Sequence, residues 1–400
     1  MVKTDSKTGI AALTVAHCAG MVDLVALPVW VGTLISKYGL DPQQAGGLVT
    51  LFLVGAVTSS LYFARRFNRT RGRLAVALSF AMAAAAFALL SITRDFAAMA
   101  VLHAAAGAAA GCGLSFTHGT IGRSTNPHRL FALVGIGIGF FALAFLAGTP
   151  QLVAAVGGQA LFQVFAGVML FAAVIAGLAF PVPDAHSDSQ SEVHREAQRD
   201  AQTPGFATPA RSHSQINPAV WFAVFGVACM ALVQAMMFSF VERIGSDRGF
   251  GFAAVTSVLI ALGLVNLLPS PLAVFMQRRL PAHRVVLAGP MVQAALALTI
   301  AYSSGFVPYA VATAVFVAVM IFTHNFAFGL LAALDPSGRA VAATPAMLMV
   351  GAAIGPVLGG TLVKTLGYSS LGLAAVVVAS LAVASFWRVS PKAMPAAVLA

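Results

Sequence analysis

GAAIGPVLGG, residues 351–360, lies within an uncharged run that extends from Val341 to Val363. Glycines recur every four positions, at Gly351, Gly355 and Gly359, and such spacing lets the backbones of membrane helices approach closely. Pro356 interrupts the helical hydrogen bonding locally, which membrane helices tolerate where neighbours satisfy the freed groups. The stretch therefore predicts a membrane-spanning helix that packs tightly against other helices.

The rest of the chain has the same apolar character. Of its 400 residues, 59% are hydrophobic and only 9% are charged, and the mean hydropathy is +0.90. A soluble domain carries roughly 25% charged residues, so this chain has too few charges to cover a water-exposed surface. The composition predicts a protein surrounded by membrane lipid.

Twelve apolar runs are long enough to cross a bilayer, which requires about 20 residues. Continuous runs of this kind exclude the short alternating strands of a membrane barrel. The predicted spans are 10–36, 44–64, 74–92, 96–121, 130–147, 158–180, 219–241, 252–276, 285–303, 307–334, 341–363 and 369–387. The first run is also too long for the apolar core of a cleavable signal peptide.

The basic residues lie in short clusters between these runs. Twelve spans with a cytoplasmic N-terminus place 18 of the 23 Lys and Arg residues in the cytoplasm, as the positive-inside rule requires. This bias predicts cytoplasmic N- and C-termini. It also accounts for the net charge of +11 without a nucleic-acid partner. High Ala content and a preference for Arg over Lys suggest a bacterium, and hence its inner membrane.

The spans fall into two similar halves. Residues 1–183 and 218–400 each contain six spans, and the polar segment 184–217 between them is predicted to be a disordered cytoplasmic linker. Asn126-Pro127 follows the fourth span and Asp335-Pro336 follows the tenth, 209 positions later. An internal repeat of six spans is typical of transporters built from two halves.

With two sets of six spans and the 351–360 motif, the chain resembles the major facilitator superfamily. The resemblance implies an all-α membrane protein with two pseudo-symmetric six-helix bundles, alternating access, and a cavity lined by spans one, four, seven and ten. Basic residues at the family's gating loops are Arg65, Arg69, Arg129 and Arg339, and the residues assigned to helix packing are Gly351, Gly355, Pro356 and Gly359.

Ionisable groups inside spans are costly and are therefore functional candidates. We expect proton coupling at Asp23 and at His103, which occupies the position of a family Arg before Gly107 and Gly111. The alternatives are a carboxylate bonded to a neighbouring helix and a neutral packing histidine. On a continuous helix, the six residues between His17 and Asp23 turn by about 240°, so the two would not share a face.

Further polar side chains fall in the spans that the resemblance assigns to the cavity or next to them. The predicted substrate-binding residues are His17, Gln234, Asn266, His324 and Asn325; amides of this kind also serve as interhelical hydrogen-bond groups. The charged residues from Glu242 to Arg248 are interpreted as a solvated loop. His118 is assigned to gating or to lipid headgroup contact, and Gln293 to structure.

The sequence predicts a secondary transporter, not an enzyme. It has no phosphate-binding glycine loop with its Lys, no zinc-protease motif and no nucleophile elbow, so no cofactor or metal is expected. We expect a monomer that exports a small organic solute in exchange for protons, in contact with membrane lipid. Uptake of an organic acid or sugar with protons is the alternative, and a membrane-embedded sensor or enzyme scaffold is the alternative of another class.

Overall fold

A computed structural model describes residues 2–64, 72–181, 218–334 and 344–389. Within these ranges all regular secondary structure is helical. Twelve stretches are long and apolar enough to cross a membrane, as the sequence predicts. The linker 184–217 and the gating residues Arg65, Arg69 and Arg339 lie outside the described residues.

The described part of the first half contains seven helices that build spans one to six. They are α1 (Lys7–Gly20), α2 (Val22–Tyr38), α3 (Pro42–Ala64), α4 (Gly72–Ile92), α5 (Phe96–Gly122), α6 (Pro127–Val156) and α7 (Gln159–Ala179). The first span combines α1 and α2, which the sequence analysis treated as one continuous helix. The fifth span is longer than the predicted 130–147, because Asn126 caps it, with Pro127 at its first position, and the helix continues through Pro150.

The described part of the second half builds spans seven to twelve. Its helices are α8 (Pro218–Phe238), α9 (Val241–Asp247), α10 (Phe252–Val265), α11 (Pro269–Met276), α12 (Ala282–Tyr302), α13 (Phe306–Leu334), α14 (Thr344–Leu366) and α15 (Ser369–Trp387). The seventh span combines α8 and α9, and the eighth combines α10 and α11. Pro269, at the first turn of α11, lacks the N–H that would continue α10.

The two halves share an apolar core on one side only. We call that side the Asp41 side, after the residue between spans one and two, and the opposite side the Arg123 side. The larger core extends from the first half to Phe240, Ile244 and Phe316 of the second half. A separate core around Val227 and Phe386 belongs to the second half alone and lies on the Arg123 side. Among the described residues, the halves are therefore packed together on the Asp41 side.

Close helix contacts build this arrangement. Methyl groups on Gly351 and Gly355 of span eleven would overlap the backbone of span seven, and one on Gly46 of span two would overlap the Pro356 carbonyl. Pro356 and the motif glycines thus place span eleven between span seven of its own half and span two of the other half. Since any side chain would widen these contacts, the glycines set the interhelical distance.

Candidate functional site

The first span is interrupted in its middle, next to Asp23. Helix α1 ends at Gly20, Met21 leaves the helical conformation, and α2 begins at Val22. Asp23 therefore lies in the first turn of a half-helix, where the partial positive charge of the helix N-terminus favours a carboxylate. The N–H groups of Asp23 and Leu24 lie against this partly exposed carboxylate, and no described cation forms an ion pair with it.

His17, one turn before the break, is paired with His118 of span four. His17 Nδ1 and His118 Nε2 are 3.1 Å apart, so one imidazole donates and the other accepts. The ring of Phe131, from span five, meets His118 edge-on at 5.6 Å. This contact joins three spans on the Arg123 side of Asp23. The sequence predicts roles for both histidines but does not predict that they pair.

His103 lies in an aromatic core on the Asp41 side. Its ring stacks on Trp30 at 5.6 Å and meets Phe162 edge-on at 5.7 Å. Its Nδ1 lies 2.7 Å from the Met99 carbonyl oxygen, and its Nε2 has no partner among the described residues. The side chain is fully buried, so the described structure contains no hydrogen bond between His103 and Asp23.

The amides of the second half hold helices together. Gln293 Nε2 donates to the Met230 carbonyl at 3.2 Å and to Gln234 Oε1 at 3.4 Å, which joins spans nine and seven. Gln234 Nε2 and Asn266 Oδ1 have no hydrogen-bond partner in the described part of the chain. Asn266 ends α10 at the interruption of span eight. These two unsatisfied amide atoms remain candidates for contact with a solute.

His324 and Asn325 point in different directions, although they are neighbours in span ten. His324 is buried and stacks on Phe328 at 5.5 Å, and its Nε2 lacks a partner within the described ranges. Asn325 is exposed, donates to the Ile321 carbonyl at 2.8 Å and lies 3.5 Å from Ser270 Oγ of span eight. The two side chains therefore do not form one polar pair.

Polar contacts close the Asp41 side. Lys364 of span eleven donates to Asp41 at 2.9 Å and to Gln43 at 3.4 Å. Burial raises the pKa of the Asp41 carboxyl, but the Gln44 amide and the Lys364 ammonium lower it below its ordinary value. Deeper in the bundle, Thr50 Oγ1 donates to the Ala353 carbonyl at 2.8 Å. Spans two and eleven are thus bonded at two depths.

The charged residues from Glu242 to Asp247 do not form a solvated loop after span seven, and that interpretation was wrong. They form helix α9, in which Val241, Ile244 and Gly245 are buried. Arg243 and Asp247 form an ion pair. Tyr368, which precedes span twelve, donates to Asp247 at 2.5 Å. Its own burial and the Asp247 carboxylate raise the pKa of the Tyr368 hydroxyl.

Two further observations concern metal binding and cavities. No group of three metal-binding side chains occurs among the described residues. A groove of about 640 Å³ lies on the outside of the bundle, between spans nine and twelve, and is lined by Met291, Ala294, Val376 and Trp387. It contains none of the candidate site residues.

Arg129, one of the predicted gating residues, is exposed at the start of span five, and its backbone N–H donates to the Asn126 side chain.

Among the described residues, twelve helical spans in two packed halves, with polar groups at a broken helix, are typical of multi-pass membrane transporters. The chain belongs to the major facilitator superfamily, whose family model matches residues 12–337. A search of curated proteins finds no match.

Solved structures share the fold at low sequence identity. A bacterial homologue of the human lysosomal transporter Spinster, described as inward-facing and occupied, matches with a TM-score of 0.73 and 13% identity over 96% of this chain and 97% of that chain. The nucleoside transporter NupG matches with a TM-score of 0.68 and 12% identity over 95% of this chain and 97% of that chain.

Proposed function

We propose that this protein is a secondary transporter of the bacterial inner membrane that exports a small organic solute in exchange for protons. The observation that carries the proposal is the position of Asp23 at the interruption of the first span. A carboxylate without a described cation partner, inside a membrane span, is a group whose charge a transport cycle can use. The termini lie in the cytoplasm, so that the Asp41 side faces outwards.

The asymmetry between the two sides supports alternating access. The halves share a core on the Asp41 side and separate cores on the Arg123 side, which corresponds to a conformation closed towards the outside. To open outwards, the halves must separate spans two and eleven and close on the Arg123 side. The bonds from Lys364 and Thr50 are then the contacts that must break.

Export is favoured by the motif in span eleven, which resembles that of drug and metabolite exporters. In this cycle a proton from outside neutralises Asp23 and solute is released to the outside; in the inward-facing state the proton is exchanged for the next solute molecule. In uptake together with protons, the proton and the solute bind to the same groups from the outside, cross together and are both released inside. The solutes of the structural neighbours are not assigned to this protein. At 13% and 12% sequence identity, the similarity shows a shared fold and nothing about the solute.

Transport assays with Asp23→Asn in proteoliposomes test this function. The probes are ethidium as an organic cation for export, and benzoate and glucose for uptake. For the probe that the unchanged protein transports, we expect Asp23→Asn to lose accumulation driven by a pH gradient while it retains exchange without a gradient. If Asp23→Asn showed the same proton-driven accumulation as the unchanged protein, the proposed role of Asp23 would be overturned.

His103→Phe is the matched second variant. Phenylalanine conserves the ring that packs on Trp30 and Phe162 but cannot carry a proton. Proton-driven accumulation that persists in His103→Phe and is lost in Asp23→Asn would assign coupling to Asp23 and packing to His103. Loss in both variants, with the protein still folded in the membrane, would support proton coupling at both residues.

A further inference from the structure

One partly buried carboxylate contacts the opposite half of the molecule and has no role in the cycle described so far. Glu242, in α9 of the second half, lies against Gly32 of α2 in the first half, and a methyl group on Gly32 would overlap Glu242 Oε2. Gly32 is flanked by the fully buried Trp30, Val31 and Leu34. The carboxylate therefore occupies space that only a glycine leaves open at the interface of the two halves.

The charge of Glu242 is poorly compensated in this position. Among the described residues its one hydrogen bond comes from Ser246, whose hydroxyl donates to Oε1 at 2.8 Å. A carboxylate pressed against an apolar surface without an ion-pair partner is costly, and protonation removes most of that cost. Opening of the Asp41 side would move α9 away from α2 and expose the carboxylate to water, where the charged form is favoured.

The charged and titratable groups around Glu242 have other partners. On its own helix, Arg243 pairs with Asp247, and Arg248, in the following loop, donates to the carbonyls of Ile300 and Ala301. From span ten, the Tyr309 hydroxyl donates to the Val241 carbonyl at 2.7 Å.

The packed helices contribute few other groups. The titratable residues of α2 are Asp23, at its far end, and Lys37 and Tyr38, at its near end. Lys37 is exposed, and the Arg94 guanidinium lies 5.3 Å from the centre of the Tyr38 ring. Helix α10, which also packs on α9, contains no titratable side chain. None of the ion pairs within the described ranges includes Glu242.

We propose that Glu242 is a proton-binding site that controls the Asp41 side: protonation holds the two halves together there, and deprotonation favours their separation. The inference rests on alternating access as stated in the proposed function, but it does not require that Asp23 couples protons to solute. External acid would then favour the conformation that the structure describes. For one proton, the ratio of closed to open molecules changes by up to about tenfold per pH unit within the titration range.

A distance measurement across the Asp41 side tests this proposal. Spin labels at Lys37→Cys and Ser304→Cys report the separation of the halves in the full-length protein in nanodiscs, after the buried Cys18, Cys112 and Cys229 are replaced by alanine. Between about pH 5 and about pH 8, we expect the distance to increase in the labelled protein. We expect it to stay short throughout this range in Glu242→Gln, which resembles the protonated form.

Two control variants make the outcome decisive. Asp95→Asn, an exposed carboxylate on the same side, should follow the unchanged protein. Ser246→Ala removes the donor to the carboxylate, so it should move the midpoint of the change to higher pH even if Glu242→Gln does not fold. An unchanged pH response in Glu242→Gln, no response in the unchanged protein, or an unchanged or lower midpoint in Ser246→Ala would overturn the proposal.

Asp23→Asn in the same assay separates this inference from the proposed function. If the pH-dependent distance change remains in Asp23→Asn, the Glu242 site acts independently of the coupling group. A distance change without any proton-driven solute flux would then refute the proposed function alone. A distance change lost in Asp23→Asn and kept in Glu242→Gln would refute the Glu242 site alone.

Discussion

The Lys364 ammonium lies 2.9 Å from Asp41 Oδ2, and this ion pair joins two halves of the chain across 323 sequence positions. Asp41 precedes the first turn of span two, where its Oδ1 also caps the Gln44 N–H at 2.9 Å. One carboxylate therefore begins a helix in the first half and binds a cation of the second half. The pair lies at the rim of the Asp41 side, where both side chains remain partly exposed.

The Asp41 pair predicts a weak, acid-resistant contribution to closure. Since the pKa of Asp41 is lowered in the folded protein, its contribution is present above the unfolded value of about 3.9 and is lost only as the pH falls through the lower folded value. A partly exposed pair contributes about 0.2–1 kcal/mol. We expect Asp41→Asn or Lys364→Gln to lengthen the Lys37–Ser304 distance slightly.

The double variant tests whether Asp41 and Lys364 act as a pair. Asp41→Asn combined with Lys364→Gln should have nearly the same effect as either single change, because each removes the same bond. Fully additive effects would show that the two side chains act separately. Loss of this pair in strong acid favours opening, whereas protonation of Glu242 favours closure at milder pH. The two sites therefore predict pH effects of opposite sign in different ranges.

Gly46 and Gly47 provide a matched test of the contact between spans two and eleven. A methyl group on Gly46 would overlap the Pro356 carbonyl, whereas one on Gly47 has no atom within 4 Å. We expect Gly46→Ala to destabilise the closed conformation by about 1–3 kcal/mol and to lengthen the label distance. Gly47→Ala should leave the distance unchanged and stabilise the helix by up to about 1 kcal/mol. Equal distances in the two variants would contradict the role of Gly46.

The sequence predicts the fold well because lipid imposes a strong and simple pattern. Length and hydropathy identify all twelve spans, and the 351–360 motif identifies a helix with close neighbours. Interruptions inside a span are harder to predict, since Asp23 beside Met21, and Asn266 and Pro269 beside Val265, are single residues that do not end the apolar runs around them. Hydropathy therefore gives the number of spans but not whether a span is one helix or two.

The candidate site depends on contacts that no local pattern contains. His17 and His118 are 101 positions apart, and nothing in either span indicates the partner. The helical rotation expected between His17 and Asp23 assumed a continuous helix and does not apply across the break at Met21. Glu242 was assigned to a loop because four charges follow one another closely, whereas the space beside Gly32 becomes visible only when the two halves are packed together.

The contact between His17 and His118 predicts that the two side chains stabilise the protein as a unit. His17→Ala and His118→Ala should each lower the free energy of unfolding by about 1–3 kcal/mol, because each leaves a ring nitrogen of a buried or partly buried histidine without its partner. The double variant should cost less than the sum by about 0.5–1.5 kcal/mol. Thermal or denaturant unfolding in one detergent measures all three variants.

Cys112→Ala serves as the control for this cycle, because Cys112 is a buried residue of the same span as His118 and its thiol contacts Ser79 instead of His17. Its effect should add to that of His17→Ala within about 0.5 kcal/mol. If the effects were additive both for His17 with His118 and for His17 with Cys112, the two imidazoles would not interact in the membrane. Coupling confined to the histidine pair would establish that spans one and four are bonded on the Arg123 side, next to the interruption that presents Asp23.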